Sequence, residues 1–225
     1  FLFLLGFFLG GAGIFHSFFV EHSFDVPGKG GVHREGVVGN GHGLLFNPVF
    51  LYGKKENALE ADIAHLLFVG LMRYDTQTGQ IESALANHSL STDKKTYSFK
   101  LKEGIFWHDG TPVTADDVIF TYQNIIKNPD FTNEVLKGAF EGVKIQKINA
   151  TEVSFEIPIP YKFFLTNFTL GILPKHLLEN VSVGDLEYDS FFSSPVGNGP
   201  YRFVATEEVR PGVSKIVLEA FRQSS

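Results

Sequence analysis

The sequence contains no cysteine, which excludes disulfide bonds, thiolate metal sites and a cysteine nucleophile. Methionine is nearly absent too: Met72 is the only one. The chain begins at Phe1 instead of a methionine. We therefore expect this sequence to be a fragment that lacks its true N-terminus. Its 225 residues are enough for one large or two small domains with a sizeable core.

Positive charge is scarce. The chain has 19 Lys and Arg against 25 Asp and Glu, a formal net charge of −6, and its basic residues form no cluster. A nucleic-acid-binding surface has to neutralise phosphates with clustered basic residues. Composition therefore argues against nucleic acid as a partner.

The stretch from Tyr97 to Tyr122, YSFKLKEGIFWHDGTPVTADDVIFTY, carries the most consistent local signals. Tyr97, Phe99 and Leu101 alternate with polar residues, which predicts a strand with one buried face. A tight turn follows Trp107, since Asp, Gly and Pro succeed it closely. We expect Trp107 to be buried, and an aromatic ligand cage is the alternative.

A helix is predicted after this turn. Thr114 suits the N-cap and Asp117 stands three residues later, close to a capping box with Asp in place of Glu. The apolar residues that follow recur at offsets zero, four, seven and eight, on one helix face: Val118, Tyr122, Ile125 and Ile126. Asn128-Pro129 ends the helix.

Weaker patterns predict the remaining elements. They are a strand at 35–38, a helix at 59–67, short strands at 72–74 and around Ile81, a hairpin from Val143 to Ile157, a short helix from Tyr161 to Phe168 and strands at 201–204 and 216–218. Gly197, Gly199 and Pro200 indicate a tight turn rather than a phosphate loop, because no Lys-Ser/Thr follows them.

The first 20 residues, FLFLLGFFLGGAGIFHSFFV, contain no Asp, Glu, Lys or Arg. A run of about 20 apolar residues is long enough to cross a bilayer. We expect a transmembrane anchor at residues 1–20, with a cleaved signal peptide as the alternative. Residues 21–34, rich in Gly and His, are interpreted as a tether.

The run WHDGTPVTADDVIFTYQNI, from Trp107 to Ile125, resembles the signature region of the family 5 extracytoplasmic solute-binding proteins. These are the peptide- and nickel-binding subunits of ABC importers. Four other motifs fall in that family's order and spacing: LFNP at 45–48, LFVGLMRYD at 67–75, ILPKH at 172–176 and PVGNGPYRF at 195–203. The resemblance covers residues 35–222.

The resemblance implies an α/β protein of the type II periplasmic-binding-protein kind, whose two lobes close around a solute. Residues 35–225 would form the first lobe, with mixed sheets and an α+β character when judged alone. The N-terminal transmembrane helix would precede this lobe. The second lobe would be missing from the fragment.

The implied function is that of the substrate-binding component of an ABC transporter. It would capture peptides, or related solutes such as nickel complexes, for import. Its partners would be that solute, the permease and ATPase subunits, and the membrane through the N-terminal helix. The protein would be anchored in the cell membrane and face the periplasm or the extracellular side. The resemblance implies no cofactor and no enzymatic activity.

Ligand-contacting residues carry over only to the loop after Asn47-Pro48, where the resemblance points to Tyr52, Gly53 and Lys54. An acidic residue that recognises a peptide's N-terminal amine is expected there, and Tyr52 stands in its place. Glu56 is close enough in sequence to substitute.

Two other classes stay open. A hydrolase would use two of Asp109, Asp116 and Asp117 as a carboxylate pair, although turn and cap signals already explain these residues. A membrane-anchored solute sensor would use the same fold. A metal site is not favoured, because no two of the eight His have H-x-x-x-H spacing.

Overall fold

The computed structural model describes residues 44–52, 58–211 and 213–222, together with Val32 and Arg34. The chain divides into two compact units, Phe1–Val38 and Gly39–Ser225, and the fold described below is that of the second. The predicted anchor at 1–20 and the strand at 35–38 lie outside the described residues, as does the tether at 21–34 apart from Val32 and Arg34.

A four-stranded antiparallel sheet lies at the centre of the second unit. Its strands are β3 (Ala86–Leu90), β4 (Thr96–Leu101), β5 (Lys144–Lys147) and β6 (Glu152–Glu156), in the order β3-β4-β6-β5. The predicted alternation of β4 is confirmed, since Tyr97, Phe99 and Leu101 are buried and the residues between them are exposed. The other face of this sheet is polar and wet.

Two antiparallel hairpins form separate two-stranded sheets. The first joins β1 (Met72–Tyr74) to β2 (Ile81–Ser83), two strands that the sequence predicted. The second joins β7 (Tyr201–Arg210) to β8 (Val213–Ala220) and is much longer than the sequence pattern predicted. Most residues of both strands are exposed, so the sequence shows little alternation of apolar and polar residues there. The prediction therefore covered only residues 201–204 and 216–218.

The described residues form four α-helices. They are α1 (Ala58–Leu67), α2 (Ala115–Ile119), which continues as a π-helix (Phe120–Ile126), α3 (Glu134–Ala139) and α4 (Lys175–Leu178). Three 3₁₀ turns complete the set, at Phe164–Thr169, Leu186–Tyr188 and Ser190–Ser193. The four residues predicted to share one helix face, from Val118 to Ile126, are all buried.

The capping box at the start of α2 is confirmed. The side chain of Thr114 accepts a hydrogen bond from the Asp116 N–H, and the Asp117 carboxylate accepts one from the Thr114 N–H at 2.8 Å. The π-helix was not predicted. The helix widens beside Thr121, whose hydroxyl donates to the Asp117 carbonyl at 2.9 Å.

Aromatic rings form the centre of the core. The Phe168 ring lies 4.4 Å from Phe99 and 4.6 Å from Phe155, and Tyr122 packs 5.3 Å from Phe155. These contacts join the 3₁₀ turn, the sheet and the π-helix into one cluster. Trp107 is fully buried, as predicted.

The expected mixed sheets are wrong for the described residues, where every strand pairing is antiparallel. Most of these strands are joined by short turns, which bring the chain back beside itself in the opposite direction. Helices packed on antiparallel sheets give the α+β character expected for this part of the chain. Among the helices of the described ranges, none combines the length and apolar character that a membrane span requires.

Candidate functional site

The buried Asn47 helps to hold the segment Leu44–Tyr52 in place. Asn47 Oδ1 accepts hydrogen bonds from the N–H groups of Val49 and Phe50, at 3.1 and 3.3 Å. Its Nδ2 donates across the fold to the Leu186 carbonyl at 3.1 Å. The amide therefore shapes the turn after Asn47 and ties it to a distant 3₁₀ turn.

Tyr52 lies at the end of this segment. Its side chain is half-buried and packs against the core, while its backbone carbonyl accepts a hydrogen bond from Asn133 Nδ2 at 2.9 Å. Burial raises the pKa of the Tyr122 phenol well above its usual range, and Tyr52 adds a smaller electrostatic contribution. Tyr52 thus presents a half-buried side chain from a backbone position that Asn133 holds.

The other two residues to which the resemblance pointed, Gly53 and Lys54, lie outside the described residues, as does Glu56. The structure therefore places Tyr52 alone of the expected ligand-contacting set. Sequence reasoning missed Asn133. The signal for its capping role was present, because a helix-forming run with Glu134 follows it, but no pattern linked it to Tyr52.

The loop Pro195–Pro200 stabilises the C-terminal end of helix α1. The N–H groups of Asn198 and Gly199 donate to the Leu67 carbonyl at the end of α1, at 3.0 and 2.8 Å. These bonds satisfy a carbonyl that a helix end leaves without an intrahelical partner. A Cβ added at Gly197 would lie 1.9 Å from the Leu67 oxygen, so only glycine allows this approach.

His108 joins this loop to the turn after Trp107. Its Nδ1 accepts from the Gly197 N–H at 3.1 Å, so the ring proton is on Nε2, which donates to the Gly199 carbonyl at 3.1 Å. Both ring nitrogens are satisfied in this neutral form. Burial is the main cause that lowers the pKa of His108 below its ordinary value.

The three aspartates considered for catalysis have separate structural partners. Asp117 is buried and accepts from Thr114 and from the Lys175 N–H, and Asp116 forms an ion pair with Lys147 at 2.6 Å. Asp117 therefore helps to hold the fold together, while Asp116 lies in a half-exposed ion pair.

Asp109, the third aspartate, pairs with His176 at 2.8 Å. Burial opposes ionisation of Asp109, but hydrogen bonds from His176 and Thr111 outweigh it and hold the pKa of that carboxyl below its usual value. Within the described ranges, no group of three or more His, Cys, Asp or Glu is arranged to hold a metal ion.

Comparison with known proteins gives the family. The profile of the bacterial extracellular solute-binding proteins, family 5, matches residues 80–223. The oligopeptide-binding protein AppA of Bacillus subtilis is 33% identical over 190 residues, which cover 81% of this chain and 33% of that protein.

Solved structures agree with this match. NikZ from Campylobacter jejuni, in complex with Ni(L-His), is 33% identical with a TM-score of 0.61, and covers 73% of this chain and 31% of its own. AppA from Bacillus subtilis, in complex with a nonapeptide, is 30% identical with a TM-score of 0.66, and covers 79% and 34%. Both are periplasmic binding proteins of type II, as the sequence led us to expect. The chain spans about a third of the length of the curated relatives that it matches.

Proposed function

Because this chain belongs to the family 5 bacterial extracellular solute-binding proteins, we propose that it is part of the substrate-binding component of an ABC importer. In this proposal the whole protein captures short peptides outside the cytoplasmic membrane and presents them to a permease driven by an ATPase. The observation that carries the proposal is the family match over residues 80–223, on a fold shared with peptide-binding relatives.

Peptide is the favoured solute. An extended peptide offers one donor and one acceptor per residue, so a cleft that pairs with its backbone accepts many sequences. Tyr52 has a partly exposed side chain on a backbone that Asn133 holds in place. A related solute, such as a nickel complex, is the second choice, because NikZ was solved with Ni(L-His) and is as similar to this chain as the AppA relative.

The location follows from the same proposal. Residues 1–20 anchor the protein in the cell membrane, with its bulk on the periplasmic or extracellular side. Fractionation of the native host tests this point. Recovery of a soluble, cleaved form from the medium or periplasm would contradict the anchor.

Calorimetric titration of the intact protein tests the solute. We expect saturable heats with a mixed library of short peptides and broad tolerance of their sequences. Absence of heat with every peptide, together with saturable binding of Ni(L-His) or of oligosaccharides, would refute peptide capture. Unchanged peptide uptake after deletion of the gene would refute the role in import.

A further inference from the structure

Asn133 caps a helix and also reaches a second element. Its Oδ1 accepts a hydrogen bond from the Leu136 N–H at 3.1 Å, the N-cap bond of α3. Its Nδ2 donates to the Tyr52 carbonyl, 81 positions away in the chain, at 2.9 Å. Asn133 is only 8% exposed; its bond to Leu136 is buried and its bond to Tyr52 is partly buried.

These two partners fix the orientation of the amide. A carbonyl only accepts and a backbone N–H only donates, so Oδ1 has to face Leu136 and Nδ2 has to face Tyr52. An N-cap needs only the oxygen, since Asp, Ser and Thr cap about as well as Asn. The helix therefore does not need the NH2 group of Asn133, which instead donates its hydrogen bond to the Tyr52 carbonyl.

Neighbouring contacts support the hydrogen bond between Asn133 and Tyr52. The Phe50 ring packs edge-on against Phe131 with 4.8 Å between centroids, and these two residues lie two positions before Tyr52 and Asn133 respectively. The Leu51 N–H donates to the Asn47 carbonyl at 3.2 Å, so the chain just before Tyr52 is held as well. The Asn133 amide thus fixes the backbone at Tyr52, the last described residue of this segment.

From these contacts we infer that Asn133 is a positioning residue for Tyr52 in solute binding. This inference rests on the proposed function. A backbone held in place before the solute arrives loses less conformational freedom on binding, which strengthens affinity. Asn133 acts through the Tyr52 backbone and does not contact the solute.

The substitution Asn133→Asp separates the two roles. Aspartate keeps the capping oxygen and suits a helix N-terminus. Its second oxygen replaces the NH2 group and faces the Tyr52 carbonyl, so two acceptors repel each other. Asn128→Asp is the matched control: it adds the same charge five residues earlier and keeps the oxygen that accepts from the Asp130 N–H at 2.9 Å.

Two measurements on the intact protein test the inference. Hydrogen exchange of the unliganded protein should be faster across residues 44–52 in Asn133→Asp and unchanged in Asn128→Asp. Peptide affinity by calorimetry should be about tenfold weaker in Asn133→Asp, with the control equal to wild type. A capping role alone would leave both quantities unchanged, because aspartate keeps the oxygen that accepts from the Leu136 N–H.

Several outcomes would overturn the inference. Equal exchange and affinity in the two variants would show that the contact with Tyr52 has no effect. Faster exchange with unchanged affinity would show that Asn133 holds Tyr52 without serving binding. If Asn133→Asp does not fold, Asn133→Ser keeps the cap without a charge, and unfolding of both would assign Asn133 to the fold alone. If the wild type binds no peptide, the proposed function fails, and exchange still decides whether Asn133 holds Tyr52.

Discussion

Replacing Trp107 by alanine removes the largest fully buried side chain of the described residues. A buried indole withdraws up to about 250 Å² from water, worth about 6 kcal/mol at about 25 cal/mol per Å². Against this, Trp107 Nε1 finds no hydrogen-bond acceptor within the described residues, a penalty of about 1–3 kcal/mol. We therefore expect Trp107→Ala to lower the free energy of unfolding by about 3–5 kcal/mol.

Trp107→Phe tests the second term in this reasoning. Phenylalanine keeps most of the buried apolar area and removes the N–H that lacks a partner. The relief of that penalty offsets part of the lost packing, so the cost should be at most about 2 kcal/mol. Tyr188→Ala is the control, because Tyr188 is 75% exposed and its loss should change stability by less than about 0.5 kcal/mol.

Urea unfolding followed by far-UV circular dichroism is the assay. Fluorescence is unsuitable for the variants, because Trp107 is the only tryptophan in the sequence. A loss below about 1 kcal/mol in Trp107→Ala would refute the core assignment and favour the ligand-cage interpretation. A cost in Trp107→Phe equal to that in Trp107→Ala would refute the argument about the indole N–H.

Three further predictions use other contacts. Gly197→Ala places a Cβ 1.9 Å from the Leu67 carbonyl oxygen and should lower the free energy of unfolding by about 1–3 kcal/mol in urea. Gly184→Ala is the control, because its Cβ meets open space, and it should cost less than about 1 kcal/mol; equal costs would contradict the close approach. The lowered pKa of His108 means that the unfolded state takes up its proton first, so the stabilisation is complete above about pH 6.5 and is lost as the pH falls through the lowered folded-state pKa. Wild type should therefore lose more stability than His108→Gln between about pH 7.5 and about pH 5.5, and superimposable pH profiles would refute this. Tyr52→Ala should weaken peptide binding by about 1–2 kcal/mol in calorimetry while the protein stays folded, with Tyr161→Ala, 55% exposed, as the unaffected control; equal affinities would remove Tyr52 from the site.

Local patterns were enough for much of the secondary structure. The alternation in β4, the capping box at Thr114 and the helix face that begins at Val118 were predicted from neighbouring residues alone. A cap bond or a buried stripe depends on residues within about four positions, so the sequence contains the whole signal. The ordered motifs were likewise enough to predict the family, which the profile match confirmed.

The tertiary structure decided which distant groups meet. Asn133 reaches Tyr52 over 81 positions, His108 reaches Gly197 over 89, and Asn198 reaches Val69 over 129. Sheet order was settled in the same way, since β4 pairs with β6 rather than with its neighbour β5. None of these pairs has a periodic signature, because their proximity depends on the path of the whole chain around one core. The sequence therefore predicted local roles as caps and turns, but not which distant residues these side chains contact to hold the candidate site in place.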